Sequence, residues 1–517
     1  MAVATLIISV GLLLRVRALV QNRSLNIDEA SIALHLRWRS WPELFEPMWL
    51  GQAVPPGMLA ALKGLVALFG EAEWTLRLLP FAAGCLALFL FKRLAERELP
   101  VRAALLALAI FAVSPMLVAW SAIAKPYMLD VVATVALLGY VRGVHGVRDG
   151  ISAGLAGGVA LWFSHGVVFP LSTIAAVLGI QYVRDKESRG AIRWAAALWI
   201  ALGLPGLLLS LHLRSPDTAA YMQVFWADGF FAFPPGAADI VSLATRPLLV
   251  MTHVLGAANV LYAASLLVFA SVGLIVLYRE VRPELLVWLA IPLTMAVAAF
   301  LHGYPLGGTT PTGGRVLLLI LPVVILVLAR GLTVVSGPRM LRSIEVLAIA
   351  PLLFLTLIDP VGYPDTRSVL QYAVDRRAVA DVIYVNYVAA PAALYYAPRT
   401  AMVLGECHRH RPAGYLEELA RLNEKRVWVV ASHDLVIERP LLAEYLALNG
   451  KLLDAATALG ADAWLYHLGP LPHRRPAAVP DGPWPFASRV PCAGPFDLNG
   501  LPGSGVAAIQ SRLTPAE

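Results

Sequence analysis

The sequence predicts a polytopic α-helical membrane protein of about eleven transmembrane helices, followed by a small α/β domain outside the bilayer. Three observations predict it. The 517-residue chain is 58% apolar and 15% charged, with a mean hydropathy of +0.69, which leaves too little polar character to cover a soluble protein of that length. Apolar runs recur that are long enough to cross roughly 30 Å of hydrocarbon. After Asp359 the composition changes to short β-branched and aromatic runs that alternate with helical ones. The formal charge of +7 would suggest nucleic acid in a soluble chain; here it reflects loop cations that set topology, and no nucleic-acid partner is expected.

The transmembrane module spans residues 1–358, with long outer loops at 21–75 and 214–256. The spans fall at 2–20, 76–95, 102–119, 126–141, 151–164, 167–183, 194–213, 257–278, 285–301, 313–329 and 344–358. The first has no small-residue cleavage pattern after it and reads as a retained anchor. The pair that meets at Ser164-His165-Gly166 reads either as one kinked helix or as two short spans joined by a tight turn. Lys and Arg concentrate in alternate loops: Lys92, Arg93, Arg97 and Arg102; Arg142 and Arg148; Arg184, Lys186, Arg189 and Arg193; Arg279 and Arg282; Arg330, Arg339 and Arg342. The short loops between them carry only Lys125. Such alternation puts the N-terminus in the cytoplasm and the α/β domain outside.

Two outer loops are aromatic as well as polar. The first holds helical patterns at 30–39 and 57–69 with Trp38, Trp41 and Trp49 around them; the second holds Tyr221, Phe225, Trp226, Phe230, Phe231 and Phe233. Rings at this density suit the headgroup layer. Beyond 359, Asp381–Tyr387, Arg426–Ser432 and residues 464–468 read as strands, with helices at 391–396 and 440–449, the latter capped by Gly450. This predicts three or so parallel strands, then a proline-rich tail at 470–495. Three cysteines make no metal-ligand spacing. Cys407 and Cys492 both fall in the outer domain, where an oxidising compartment permits a bridge; Cys85 reads as packing.

The chemistry-bearing residues gather on the outer side. Asp28-Glu29 follows the first span. The pair suits the first turn of a helix, and a carboxylate at a membrane boundary also serves as a general base or as a ligand for a divalent cation. Lys125-Pro126-Tyr127 follows the third span, with Asp130 about one turn deeper. Lys125 suits a phosphate as a point charge, with Asp130 orienting it; a local ion pair is the simpler alternative. His302-Gly303-Tyr304-Pro305 precedes a glycine-rich turn and Arg315, whose planar fork suits phosphate oxygens. Arg246 and His253 are weaker members of the same set. Cations, aromatic loops and a carboxylate on one face fit a lipid phosphate and an acceptor hydroxyl, whereas a proton-coupled transporter places acids near the midplane.

The run Asn22-Arg23-Ser24-Leu25-Asn26-Ile27-Asp28-Glu29-Ala30 resembles the first-loop signature of polytopic GT-C glycosyltransferases, in the glycosyltransferase family 39 or protein mannosyltransferase-like group, to which the aminoarabinose transferases of lipid A are related. Gln52-Ala53-Val54-Pro55-Pro56-Gly57, Phe69-Gly70 and Leu76-Arg77-Leu78-Leu79-Pro80 continue the pattern. Ser114-Pro115 with Lys125, Tyr127 and Asp130 match a second motif, and Tyr304-Pro305 with Gly314-Arg315 and Pro322 a third. The sequence departs at Ile123, where many relatives carry an acid, and at Val54, where the aminoarabinose transferases carry a lysine.

The resemblance implies a bacterial inner-membrane enzyme with its C-terminal domain in the periplasm. Such an enzyme takes a sugar from a polyprenyl-phosphate donor and passes it to a hydroxyl of a lipid, glycan or protein. It implies Asp28 as the base, supported by Glu29. Lys125, Arg315 and Tyr127 are then left for the donor phosphate, with Asp130, His302, Tyr304 and Arg246 in support. It fixes no cofactor, and a divalent cation, if used, would sit at Asp28 and Glu29. Two alternatives remain open: a flippase or transporter of lipid-linked sugars, and a GT-C polymerase or ligase of glycans.

Overall fold

A computed structural model describes residues 2–48, 51–308, 311–336, 342–358, 363–433, 438–476 and 479. Trp49, Cys492 and the tail beyond 480 lie outside the described residues. The chain divides into two compact units. One comprises residues 1–22, 54–213 and 226–361; the other comprises 23–53, 214–225 and the chain from 362 onward.

In the first unit a helix covers each of the eleven apolar segments. Among the described residues, six helices are long and apolar enough to cross a membrane. Several spans are interrupted. The third breaks at Ser114 into Val101–Val113 and Pro115–Trp120, because Pro115 opens a new first turn. The seventh runs as Arg189–Leu198, a π-helical turn at Trp199–Gly203, and Leu204–His212. The fifth and sixth are separate helices, Val147–Phe163 and Val168–Arg184, which decides the question left open at Ser164-His165-Gly166. Glycines allow close crossings: a Cβ on Gly273 would strike the Val327 carbonyl, and one on Gly331 would strike the Phe269 carbonyl. The Val260–Arg279 and Leu321–Val335 helices therefore meet backbone to backbone, as small residues permit within a bilayer.

Ion pairs join the basic loops. Arg97 and Arg142 both meet Glu98, Arg142 also meets Glu284 at 2.8 Å, Arg102 meets Glu345 at 2.8 Å, and Arg330 meets Glu280. These contacts bring together loops that the charge alternation assigns to one side. Arg15, within the first span, is wholly buried and donates to the carbonyls of Gly11 and Ala112, so that helix is less purely apolar than a hydropathy reading implies.

The second unit contains a five-stranded sheet: β1 (Val382–Val385), β2 (Val403–Leu404), β3 (Arg426–Ser432), β4 (Gly450–Ala458) and β5 (Ala461–Leu468), in the order β2-β1-β3-β5-β4. Successive β3 residues alternate between two cores. Val427, Val429 and Ala431 pack with Tyr415, Leu419, Leu441 and Leu442 on one face; Trp428 and Val430 pack with Val369, Leu370, Ala390 and Ala393 on the other. The α/β expectation holds, but only β2, β1 and β3 run parallel. β5 pairs antiparallel with both β3 and β4. Gly450, expected to cap the preceding helix, opens β4 instead. A hairpin at Leu459-Gly460 returns the chain, with Gly460 at φ +60°, a backbone conformation that favours glycine.

Candidate active site

The acidic pair opens the helix Ile27–Trp38. Asn26 is its N-cap. The Asn26 side-chain oxygen accepts from the Glu29 amide at 3.0 Å, and Glu29 Oε2 accepts from the Asn26 amide at 3.3 Å. This is a reciprocal capping box, with Glu29 wholly buried. The helix-start reading of the pair is therefore correct for Glu29, whose Oε2 is committed to the cap. Asp28, one position earlier and half-buried, lies where the helix dipole favours an anion. Its Oδ1 accepts from Gln52 Nε2 at 3.0 Å. Gln52 is itself buried; it stood in the first-loop motif without an assigned role.

The remainder of the same unit holds this helix. The Leu25 amide donates to the Tyr396 hydroxyl at 2.7 Å, Ser24 Oγ accepts from the Arg367 amide at 3.1 Å, and Arg37 donates to the Tyr395 carbonyl at 2.9 Å while lying 4.4 Å over the Tyr395 ring. Arg39 gathers the carbonyls of Glu43, Glu46 and Pro47 at 2.9–3.0 Å. Burial lowers its pKa against the opposing pull of Glu46 and Glu43.

In the helical unit, Arg315 Nε donates to the Tyr127 hydroxyl at 3.0 Å, and its guanidinium lies 4.8 Å over the Trp226 ring. Trp120 packs edge-on against Tyr127 with ring centroids 4.7 Å apart. Lys125, two residues before Tyr127, is buried. The structure thus unites Tyr127 with Arg315, 188 positions away, and adds Trp226, which the sequence offered only as one interfacial aromatic among several.

Asp130 also holds a corner of the fold. Its carboxylate accepts from Ser164 Oγ at 2.5 Å and from the Gly166 amide. It ties down the corner between two helices, and Ser164 in turn accepts from the Val167 amide at 2.9 Å. Tyr304 packs against Phe169 with centroids 4.9 Å apart and donates to the Val316 carbonyl at 3.2 Å. Burial first, then Asp130 and Tyr127, raise its pKa well above the ordinary tyrosine value. His302 is exposed, at φ +54°, and stacks on Phe230.

Arg246 is 5% exposed, donates to the Asp228 carbonyl and to Ser242 Oγ, and lies 5.3 Å over the buried Phe231 ring. Its Nε and Nη1 have no hydrogen-bond partner among the described residues. Burial lowers its pKa, opposed by Asp228; burial likewise lowers that of His253. Arg246 also lines a cavity of about 440 Å³ whose other walls include Met251, Trp288, Pro292, Leu317 and Val327. An arginine beside an otherwise apolar cavity suits a ligand with an anionic head and a hydrocarbon body.

Residues 53–208 match the family model described as dolichyl-phosphate-mannose-protein mannosyltransferase. No curated protein matches the chain in sequence. Solved structures share its fold. ArnT from Cupriavidus metallidurans in the apo state is 14% identical with a TM-score of 0.53, covering 91% of this chain and 99% of its own. The same protein bound to undecaprenyl phosphate is 14% identical with a TM-score of 0.52, covering 90% and 98%. The Archaeoglobus fulgidus oligosaccharyltransferase in the apo form is 14% identical with a TM-score of 0.52, covering 89% of this chain and 74% of its own. The sequence match to that family model is confined to residues 53–208, and the likeness to the solved structures, which spans most of the chain, is one of fold.

Proposed function

We propose that the protein transfers a sugar from a polyprenyl-phosphate donor to an acceptor hydroxyl at the outer face of a bacterial inner membrane, with its N-terminus cytoplasmic and its α/β domain periplasmic. The observation that carries this reading is Arg246, a buried arginine that lines an otherwise largely apolar cavity of about 440 Å³. Phosphate and prenyl chain together match that combination. Undecaprenyl phosphate is the ligand named for one of the structures that share the fold.

In this mechanism Asp28 accepts the proton of the acceptor hydroxyl as that oxygen bonds to the anomeric carbon. The bond from that carbon to the phosphate oxygen breaks, and its electron pair leaves on the polyprenyl phosphate. Attack opposite the leaving group inverts the anomeric configuration. Lys125 and Arg315 stabilise the charge that develops on the phosphate, as preorganised cations do, and the Tyr127 hydroxyl positions Arg315. Gln52 orients Asp28, and Glu29 fixes the helix that presents it. Reconstitution with a radiolabelled polyprenyl-phosphate sugar and an envelope acceptor fraction tests the reading. A new covalent glycoconjugate is expected; movement of label between leaflets without such a product would indicate a flippase instead.

A further inference from the structure

The outer domain carries a second constellation of ligating side chains, apart from the residues assigned above. Glu406 and His408 lie in the connection that follows β2, and Glu418 lies in the last turn of the helix Ala413–Ala420. One donor atom from each falls within 4.8 Å of both others. His408 Nε2 is 2.8 Å from Glu418 Oε1, which also accepts from the Glu406 amide at 2.9 Å. Glu418 Oε2 accepts from the buried Tyr384 hydroxyl at 2.6 Å. The Glu406 carboxylate is exposed and makes no hydrogen bond or ion pair among the described residues.

The donors themselves are mostly acidic. Two carboxylates share a small space, where like charges disfavour one another. Two of the neighbouring arginines are engaged elsewhere: Arg411 grips Glu417 through two bonds of 2.7 and 2.8 Å, and Arg409 pairs with buried Glu438 at 2.9 Å. The C-terminal end of the Ala413–Ala420 helix adds a partial negative charge of its own. A single imidazole facing two carboxylates and a helix C-terminus leaves room for a cation.

The surroundings are shaped to hold the donors in place. A Cβ at Gly405 would strike the Tyr384 hydroxyl, and one at Gly414 would strike His408 Nδ1. Cys407, between two of the three donors, is disulfide-bonded, which anchors the loop and removes the thiol as a ligand. The Tyr384 hydroxyl orients Glu418 as an outer partner orients a metal-bound carboxylate.

We propose that Glu406, His408 and Glu418 form a divalent-metal site in the α/β domain, with a nitrogen–oxygen donor set suited to a first-row ion such as Zn2+. Imidazole and carboxylate ligands at about 2.0–2.2 Å leave such an ion at least one position for water. The ion would clip the connection after β2 to the Ala413–Ala420 helix. This site is independent of the transfer chemistry proposed above and stands or falls by metal binding alone.

The test is calorimetric titration of ZnCl2 into chelator-stripped full-length protein in detergent, without a polyhistidine tag. One ion per chain is expected. Affinity should fall at least about tenfold in His408→Ala and in Glu406→Gln, a ligand's share on the scale seen for metal sites. The thermal midpoint of the wild type should rise with Zn2+, while neither variant follows. Because Glu406 is exposed, Glu406→Gln should keep the metal-free midpoint of the wild type and so decides the matter even if His408→Ala misfolds. Absence of saturable binding, or unchanged affinity in Glu406→Gln, overturns the proposal.

Discussion

Consecutive residues on a helix point about 100° apart, so Asp28 and Glu29 do not face one partner. The structure gives each a different one: the cap for Glu29 and Gln52 for Asp28. That separation makes a prediction. Glu29→Gln keeps an acceptor for the Asn26 amide, as glutamine does in other capping boxes, and should retain most of the transfer activity. Glu29→Ala should cost about 1 kcal/mol of stability, the usual scale for a lost cap, measured by thermal unfolding in detergent. An inactive, well-folded Glu29→Gln would show that the charge itself takes part. Arg315 allows a similar separation. Arg315→Lys keeps the charge but loses the fork that meets Tyr127 and the plane that lies over Trp226. Turnover should fall about tenfold or more, roughly 1.4 kcal/mol of transition-state stabilisation, and activity equal to wild type would remove Arg315 from the phosphate site. The residue types were legible in the sequence because charges at a membrane boundary stand out. Their partners were not: Gln52, Trp226 and Ser164 are uncharged, and folding brings them in from distant positions.

At the scale of elements, the helix that presents Asp28 is secured by the Tyr395-Tyr396 pair. Tyr396→Phe removes the acceptor of the Leu25 amide, and a buried amide left unpaired costs about 1–3 kcal/mol. The variant should unfold at a lower temperature and lose turnover through poorer placement of Asp28. Unchanged stability and turnover would mean that the helix holds itself. The eleven apolar helices were readable because hydropathy over a bilayer's thickness is a strong signal. The sheet was readable only in part. β1 and β3 are buried on both faces and rich in Val, Ile, Tyr and Trp, whereas β2 has two residues and β4 is an edge strand of sequence GKLLDAATA, half of it exposed. Nothing in the alternation of β5 states its direction, so its antiparallel pairing with β3 is not legible in the sequence. The aromatic loop at 214–256 departs from expectation in a different way: Trp226 and Phe231 are buried beneath guanidinium groups, while Phe233 is 85% exposed and fits the interfacial role expected for all of them.

For the whole molecule, the division of the chain into units changes the reading of the C-terminal domain. Residues 23–53, which contain Asp28 and Gln52, belong to the same compact unit as the α/β domain. A composition shift at 359 could not reveal this, because the loop returns to that domain through contacts more than 340 positions apart in sequence. The cationic residues Lys125, Arg246 and Arg315 belong to the helical unit with the apolar cavity. The most direct test of the account is turnover of a radiolabelled polyprenyl-phosphate sugar by reconstituted Asp28→Asn beside wild type. The account predicts that the variant inserts and binds the donor as the wild type does, yet forms no glycoconjugate above background. Normal turnover by Asp28→Asn would contradict it.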